Sequence, residues 1–131
     1  MYMGNEKPRV AVIVPSWNGE ADLRECVKSL YAQRDVDLEL MVVDNGSTDG
    51  TVPYLEAEGV PHISLPRNLG FAAAVNLGFA STEADAVVTV NSDTVLEPEA
   101  LIHMYRVLFS DSHIGGVQPR ILSLVRGKHR D

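Results

Sequence analysis

Four short apolar runs, alternating with amphipathic stretches, constrain this chain more tightly than any other feature. Arg9 to Pro15 (RVAVIVP), Leu38 to Asp44 (LELMVVD), Val60 to Leu65 and Asp85 to Asn91 (DAVVTVN) read as strands. Three are nearly continuous in β-branched and other apolar residues, the pattern of strands covered on both faces. Between the first two, Leu23, Cys26, Val27, Leu30 and Tyr31 recur at helical spacing, the stripe of a helix lying on a sheet. Leu101, Met104, Tyr105 and Leu108 repeat that stripe after the fourth strand, behind Glu97-Pro98-Glu99, whose proline and acids suit a first turn. Thr51 to Glu58 reads as a short helix that tolerates Pro53 in its first turn. Ile114 to Ile121 reads as a fifth strand, broken by Gly115-Gly116 and Pro119.

This order predicts right-handed crossovers and an open, doubly wound, mostly parallel α/β sheet, with ligands beyond the carboxyl ends of its strands. A length of 131 residues, 45% of them hydrophobic, suits one domain with a real core. The expected organisation is a tail over residues 1–8, a domain over 9–122 and a polar tail over 123–131, frayed from Arg126 onward. Asn68-Leu-Gly-Phe71 recurs as Asn76-Leu-Gly-Phe79, about two helical turns on, so both copies are expected to point the same way from one helix.

A formal net charge of -7 argues against a nucleic-acid or anionic-membrane binder, which needs a basic surface. The single cysteine, Cys26, cannot form an internal disulfide and falls on the apolar stripe, where a buried inert thiol is expected. With no apolar signal region near the N-terminus and no run of the ~20 apolar residues that span a bilayer, the chain is expected to be soluble and cytoplasmic. The four histidines lack metal-ligand spacing and receive no role.

In such a sheet the residues just past each strand share one rim. These are Pro15-Ser16-Trp17-Asn18-Gly19, Asp44 to Gly50, Pro66-Arg67-Asn68-Leu69-Gly70 and Asn91-Ser92-Asp93. Asp93 admits a turn or capping role, yet with Asn91 it also offers hard oxygen ligands to Mg²⁺ or Mn²⁺ and leaves positions for phosphate oxygens. Two carboxylates beside a bare diphosphate would repel it by about 4 kcal/mol per pair at ~4 Å and an effective dielectric of ~20, which favours a bridging cation. Asp44 is either a turn former or the acceptor of an imide N–H from uracil or thymine. The acids of Asp44 to Gly50 fall at the wrong offsets for a calcium-binding EF-hand, and Leu55 stands where that loop carries Glu. Trp17, the only tryptophan, suits the core or stacking on a nucleobase. Asn68 is expected to cap the helix carrying Gly70 and Ala72 to Ala74, whose N-terminus, with Arg67, faces a ligand or merely packs on the sheet.

Together IVPSWNG with Leu23 and Cys26, MVVDNGSTDGT, PRNLGFAAAVNLGF and VVTVNSDTVLEP resemble the nucleotide-sugar-binding half of family 2 glycosyltransferases, in particular the rhamnosyltransferase-like branch. The resemblance runs from about Arg9 to Ile121 and implies a GT-A fold, Rossmann-like in its winding. It implies a nucleoside diphosphate sugar donor, UDP- or dTDP-linked, lying across the strand ends, and a saccharide or lipid-linked acceptor. Pro15, Ser16 and Trp17 would border the base, Asp44 and Asn45 would read it, and Arg67, Asn68 and Gly70 would flank the nucleotide. Asn91, Ser92 and Asp93 stand where the family carries its D-x-D motif, so Asp93 would hold the metal, with Asn91 replacing the first acid. The general base of inverting members comes from a second half with no matching motif here, so the chain resembles a catalytic domain reduced to its donor site and inactive alone. An exposed sheet edge would then favour a homodimer.

Two other classes stand beside this reading. A phosphoacceptor receiver domain has a similar size, but it wants an acidic pair where this chain has Pro15-Ser16-Trp17 and a lysine where it has Gln118-Pro119-Arg120. A non-catalytic nucleotide-binding module fits the same residues without turnover. Dinucleotide-binding and P-loop motifs are absent after the first strand.

Overall fold

A computed structural model describes residues 6–125 and 128–130. Its elements, numbered in chain order, are β1 (Arg9–Ser16), α1 (Glu20–Tyr31), β2 (Asp37–Asp44), α2 (Thr51–Ala57), β3 (His62–Ser64), α3 (Phe71–Ala80), β4 (Ala86–Thr89), α4 (Ala100–Leu108), β5 (Ser123–Val125) and β6 (Lys128–Arg130). The first four strands form one parallel sheet in the order β3-β2-β1-β4. This is the expected doubly wound α/β sheet.

Side chains on β1 alternate between two apolar layers. Val10, Val12 and Val14 pack with Leu23 and Leu30 of α1, Leu55 of α2 and Leu101 and Tyr105 of α4. Ile13, with Val43 of β2, faces Ala74 of α3. The α3 layer is thin because its contact residues are small: Gly78 is buried, and a Cβ there would overlap the Ile13 side chain. Both faces of β1 are therefore closed, which explains its near-continuous apolar sequence.

Five expectations need correction. Glu97-Pro98-Glu99 does not form the first turn of α4, which begins at Ala100 with Glu99 as N-cap and no acid in its first turn. Tyr31 ends α1 and is 56% exposed, so the stripe stops at Leu30. The stretch 114–121 contains no strand. Two adjacent glycines and the missing N–H of Pro119 make a poor ladder there, and Val117 and Pro119 instead line a cavity of about 520 Å³ with Val88, Met104 and Tyr105. The two Asn-Leu-Gly-Phe copies play different parts, since Gly70 precedes α3 in open space whereas Gly78 is buried within it. Asn68 does not cap α3, whose N-cap is Gly70. Within the expected tail, β5 and β6 pair antiparallel, Ser123 opposite Arg130; residues 126, 127 and 131 lie outside the described residues. Among the described residues no helix is long and apolar enough to cross a membrane.

Candidate nucleotide-binding site

The strand register brings the rim together. Ser16 at the end of β1 lies opposite Asp44 at the end of β2. On the other side Val90 N–H donates to Ile13 C=O at 3.0 Å, so the β4 ladder runs up to Asn91. Neighbouring strands are ~4.8 Å apart, so three segments distant in sequence end side by side. Ser16 and Asp44 continue the face of β1 and β2 that carries Val14 and Val42, just beyond the apolar layer. Both are buried, at 2% and 1% exposure. Ser16 Oγ is the one buried side-chain polar atom among the described residues without a hydrogen-bond partner, a state that costs about 1–3 kcal/mol unless a ligand relieves it.

Asp44 fills the turn role and keeps acceptor capacity. Its Oδ2 accepts the Ser47 N–H at 3.0 Å and its Oδ1 accepts the Ser47 hydroxyl. A carboxylate offers about four lone-pair sites, so the two bonds from Ser47 do not exhaust its acceptors. Ser47 also ties this loop to the next, because its Oγ accepts the Asn18 N–H at 2.9 Å. Asn18, at φ +48°, accepts Thr48 N–H at 2.7 Å and Asp49 N–H at 3.3 Å on Oδ1. Asp49 accepts the Thr51 hydroxyl at 2.6 Å and the N–H groups of Thr51 and Glu20 at 3.0 and 3.3 Å. The Thr51 hydroxyl, chiefly, holds the Asp49 carboxyl below its ordinary value. Asn18, Ser47 and Asp49 were not expected as site residues. Their signal was the turn chemistry of Asn18-Gly19 and Ser47-Thr48-Asp49.

These bonds fix the turn that carries Trp17, which is 56% exposed and so takes no core role. The third wall is tied down by Asn45, whose Oδ1 accepts Leu69 N–H at 3.2 Å and whose Nδ2 donates to Gly70 C=O at 3.3 Å. Gly46, at φ +80°, lets the Arg67 backbone press against it; a Cβ there would lie 2.6 Å from Arg67 Cα. Arg67 and Asn68 are exposed. The N-cap of α3 is Gly70, with no side-chain cap bond, and Asn68 Oδ1 instead accepts Gly70 N–H at 2.8 Å in a local turn. Asn68 shapes the approach to α3 instead of capping it.

The fourth wall begins where β4 gives way to a turn closed by Thr94 N–H donating to Asn91 C=O at 3.0 Å. Ser92 and Asp93 occupy its central positions, and Asn91 and Asp93 are exposed. Cys26 of α1 lies beneath it, with Sγ 3.8 Å from Asn91 O. Burial pushes this thiol up to about 11, the Thr94 N–H opposes that shift, and the Asp93 charge adds to it. The expected buried thiol is therefore present.

Among the described residues no three His, Cys, Asp or Glu side chains cluster as a metal cage. The Asp93 carboxylate and Asn91 amide oxygen, both exposed, suit a hard cation that completes its shell with phosphate and water oxygens.

A doubly wound parallel sheet with polar and aromatic groups at its strand ends defines an α/β ligand-binding domain. The glycosyl transferase family 2 model matches residues 11–130, and the chain belongs to that family. It is 32% identical over 112 residues to an uncharacterized glycosyltransferase, YibD, of Escherichia coli K12, covering 82% of this chain and 31% of that one. It is 30% identical over 117 residues to the undecaprenyl-phosphate 4-deoxy-4-formamido-L-arabinose transferase of Sodalis glossinidius, with 82% and 36% covered. A mannosyltransferase from Pyrobaculum calidifontis in complex with GDP-Man and Mn²⁺ superposes with a TM-score of 0.73 at 28% identity, over 79% of this chain and 33% of that one. S. aureus TarS in complex with UDP-GlcNAc gives 0.70 at 28%, with 78% and 31% covered. The chain thus spans about a third of the length of these curated relatives.

Proposed function

We propose that this chain forms the donor-binding part of a metal-dependent glycosyltransferase. It would hold a pyrimidine nucleoside diphosphate sugar, UDP- or dTDP-linked, across the ends of β1, β2 and β4. The observation that carries this reading is the juxtaposition of orphaned Ser16 Oγ with the buried Asp44 carboxylate in register. Trp17 stacks on the base, Asp44 accepts its imide N–H, and Ser16 Oγ gains the partner it lacks. Pro15 and Asn45 complete the base wall, while Arg67, Asn68 and Gly70 flank the nucleotide.

Asp93, with Asn91 and Ser92 beside it, would hold Mg²⁺ or Mn²⁺ against the diphosphate. A cation held there would supply charge stabilisation to the diphosphate that leaves as an acceptor hydroxyl attacks the anomeric carbon, the hydroxyl proton passing to a general base that the described residues do not supply. The relatives bear directly on this only by what they bind, a UDP sugar in one and GDP-Man with Mn²⁺ in another. Transfer, whether of a hexosyl or a rhamnosyl group to a saccharide or lipid-linked acceptor, is proposed for the whole enzyme, and binding without turnover for this stretch. A homodimer formed along the outer edge of β4, which has β1 on one side only, is proposed as well.

Titration calorimetry with UDP, dTDP and GDP, each with and without Mn²⁺, tests the reading. Pyrimidine diphosphates are expected to bind with Mn²⁺ at least tenfold more tightly than without it, and Asp93→Ala is expected to abolish the difference. Metal-independent binding, or a preference for GDP, would count against it.

A further inference from the structure

We infer that Ser47 is a positioning residue that locks the ring-face contact and the ring-edge contact of the nucleobase into one geometry. The inference rests on the function proposed above and deepens it. Its basis is a single hydroxyl with two partners: Ser47 Oγ accepts the Asn18 N–H at 2.9 Å and donates to Asp44 Oδ1. The Ser47 N–H donates to Asp44 Oδ2 at 3.0 Å. Ser47 therefore engages both oxygens of the carboxylate and fixes the plane in which its remaining lone pairs lie. Through Asn18 it also fixes the chain direction next to Trp17.

The arrangement matters because face and edge contacts restrain a planar ring only if their relative position is fixed. Asp44 is 1% exposed, so no water shell reorients its carboxylate. Trp17 is exposed and draws its orientation from its own turn. Two further bonds reinforce that turn, from Thr48 N–H and Asp49 N–H to Asn18 Oδ1. They join backbone to side chain without touching Asp44. The backbones of the two segments also meet, Asn45 N–H donating to Ser16 C=O at 2.8 Å, but among the described side chains the Ser47 hydroxyl alone bonds both the Asp44 carboxylate and the turn beside Trp17. Nothing in it reaches the Asn91–Thr94 turn, so its effect belongs to the base and not to the diphosphate.

The test compares Ser47→Ala with Ser47→Thr and the unsubstituted chain, using UDP with Mn²⁺ and inorganic pyrophosphate with Mn²⁺ as ligands. Ser47→Ala should weaken UDP by roughly tenfold, the lower end of what a hydrogen bond to a charged group supplies. It should leave pyrophosphate unchanged, and Ser47→Thr should restore UDP binding. Emission of Trp17, the only tryptophan, should respond to UDP less in Ser47→Ala than in the parent. A purely structural role would weaken both ligands together. Equal UDP affinity in Ser47→Ala and parent overturns this inference alone, whereas a parent that binds pyrophosphate as well as it binds UDP overturns the base-recognition reading and the inference with it. Should Ser47→Ala fail to fold, Ser47→Cys, near in shape but a weak donor, carries the same comparison.

Discussion

Cys26 illustrates how one side chain belongs to the core and the rim at once. It is fully buried against the apolar layer, yet its sulfur sits under the turn that presents Asp93. Burial first, and the Asp93 charge second, disfavour the thiolate and push the thiol from its ordinary value near 9 up to about 11. Because the folded value is raised, the unfolded chain loses this proton first as pH rises. The stabilisation is complete below about pH 9 and is lost progressively toward pH 11, with an upper bound of about 2–3 kcal/mol. Urea melts at pH 8 and pH 10.5 should therefore show a larger loss for the parent than for Cys26→Ala. The variant comparison separates the thiol from the tyrosines and lysines that titrate in the same range. Equal losses would mean the thiol is not desolvated as the fold implies.

At the scale of the element, the contact between α3 and β1 depends on an absent side chain. Gly78 is buried, and a methyl there would overlap Ile13, which is fully buried on the central strand and has nowhere to move. Gly78→Ala should lower stability by about 1–3 kcal/mol through overpacking, despite the better helix propensity of alanine. Ile13→Ala should relieve part of that cost, so the double variant is expected to be more stable than the sum of the singles, as a thermal or urea melt would show. Strict additivity would mean that the two residues do not meet. Periodicity made β1, β2, α1 and α4 legible in the sequence to within a residue or two, because a continuous apolar run or a helical stripe records burial directly. It failed at 114–121, where two glycines and Pro119 interrupt the run and its apolar residues line a cavity beside β4 instead of pairing with it. It also failed for Asn68, because a side chain that bonds two residues ahead and one that caps a helix look alike in sequence. The rim positions were legible from topology alone. The bonds joining Asn18, Ser47 and Asp49 were not, since they depend on two loops meeting about 30 residues apart.

For the whole molecule the decisive quantity is charge. Eighteen acids against eleven lysines and arginines leave a field that repels a diphosphate. Arg67, exposed at the rim, is a weak counterweight. A diphosphate should therefore need a divalent cation before it stabilises the fold. The ends of β1, β2 and β4 come from three distant parts of one cooperative sheet, so a ligand held among them should protect global unfolding and not merely one loop. At about 100 times the dissociation constant the stabilisation is ~2.7 kcal/mol, which for a domain of this size raises Tm by roughly 8–12 °C. UDP with Mn²⁺ should produce that rise, while UDP with EDTA, or Asp93→Ala with UDP and Mn²⁺, should leave Tm near its unliganded value. The far-UV signal of the sheet and the near-UV signal of Trp17 should shift by the same amount. A rise confined to the tryptophan signal would place the ligand on the Trp17 loop alone, and the three strand ends would then not form one site.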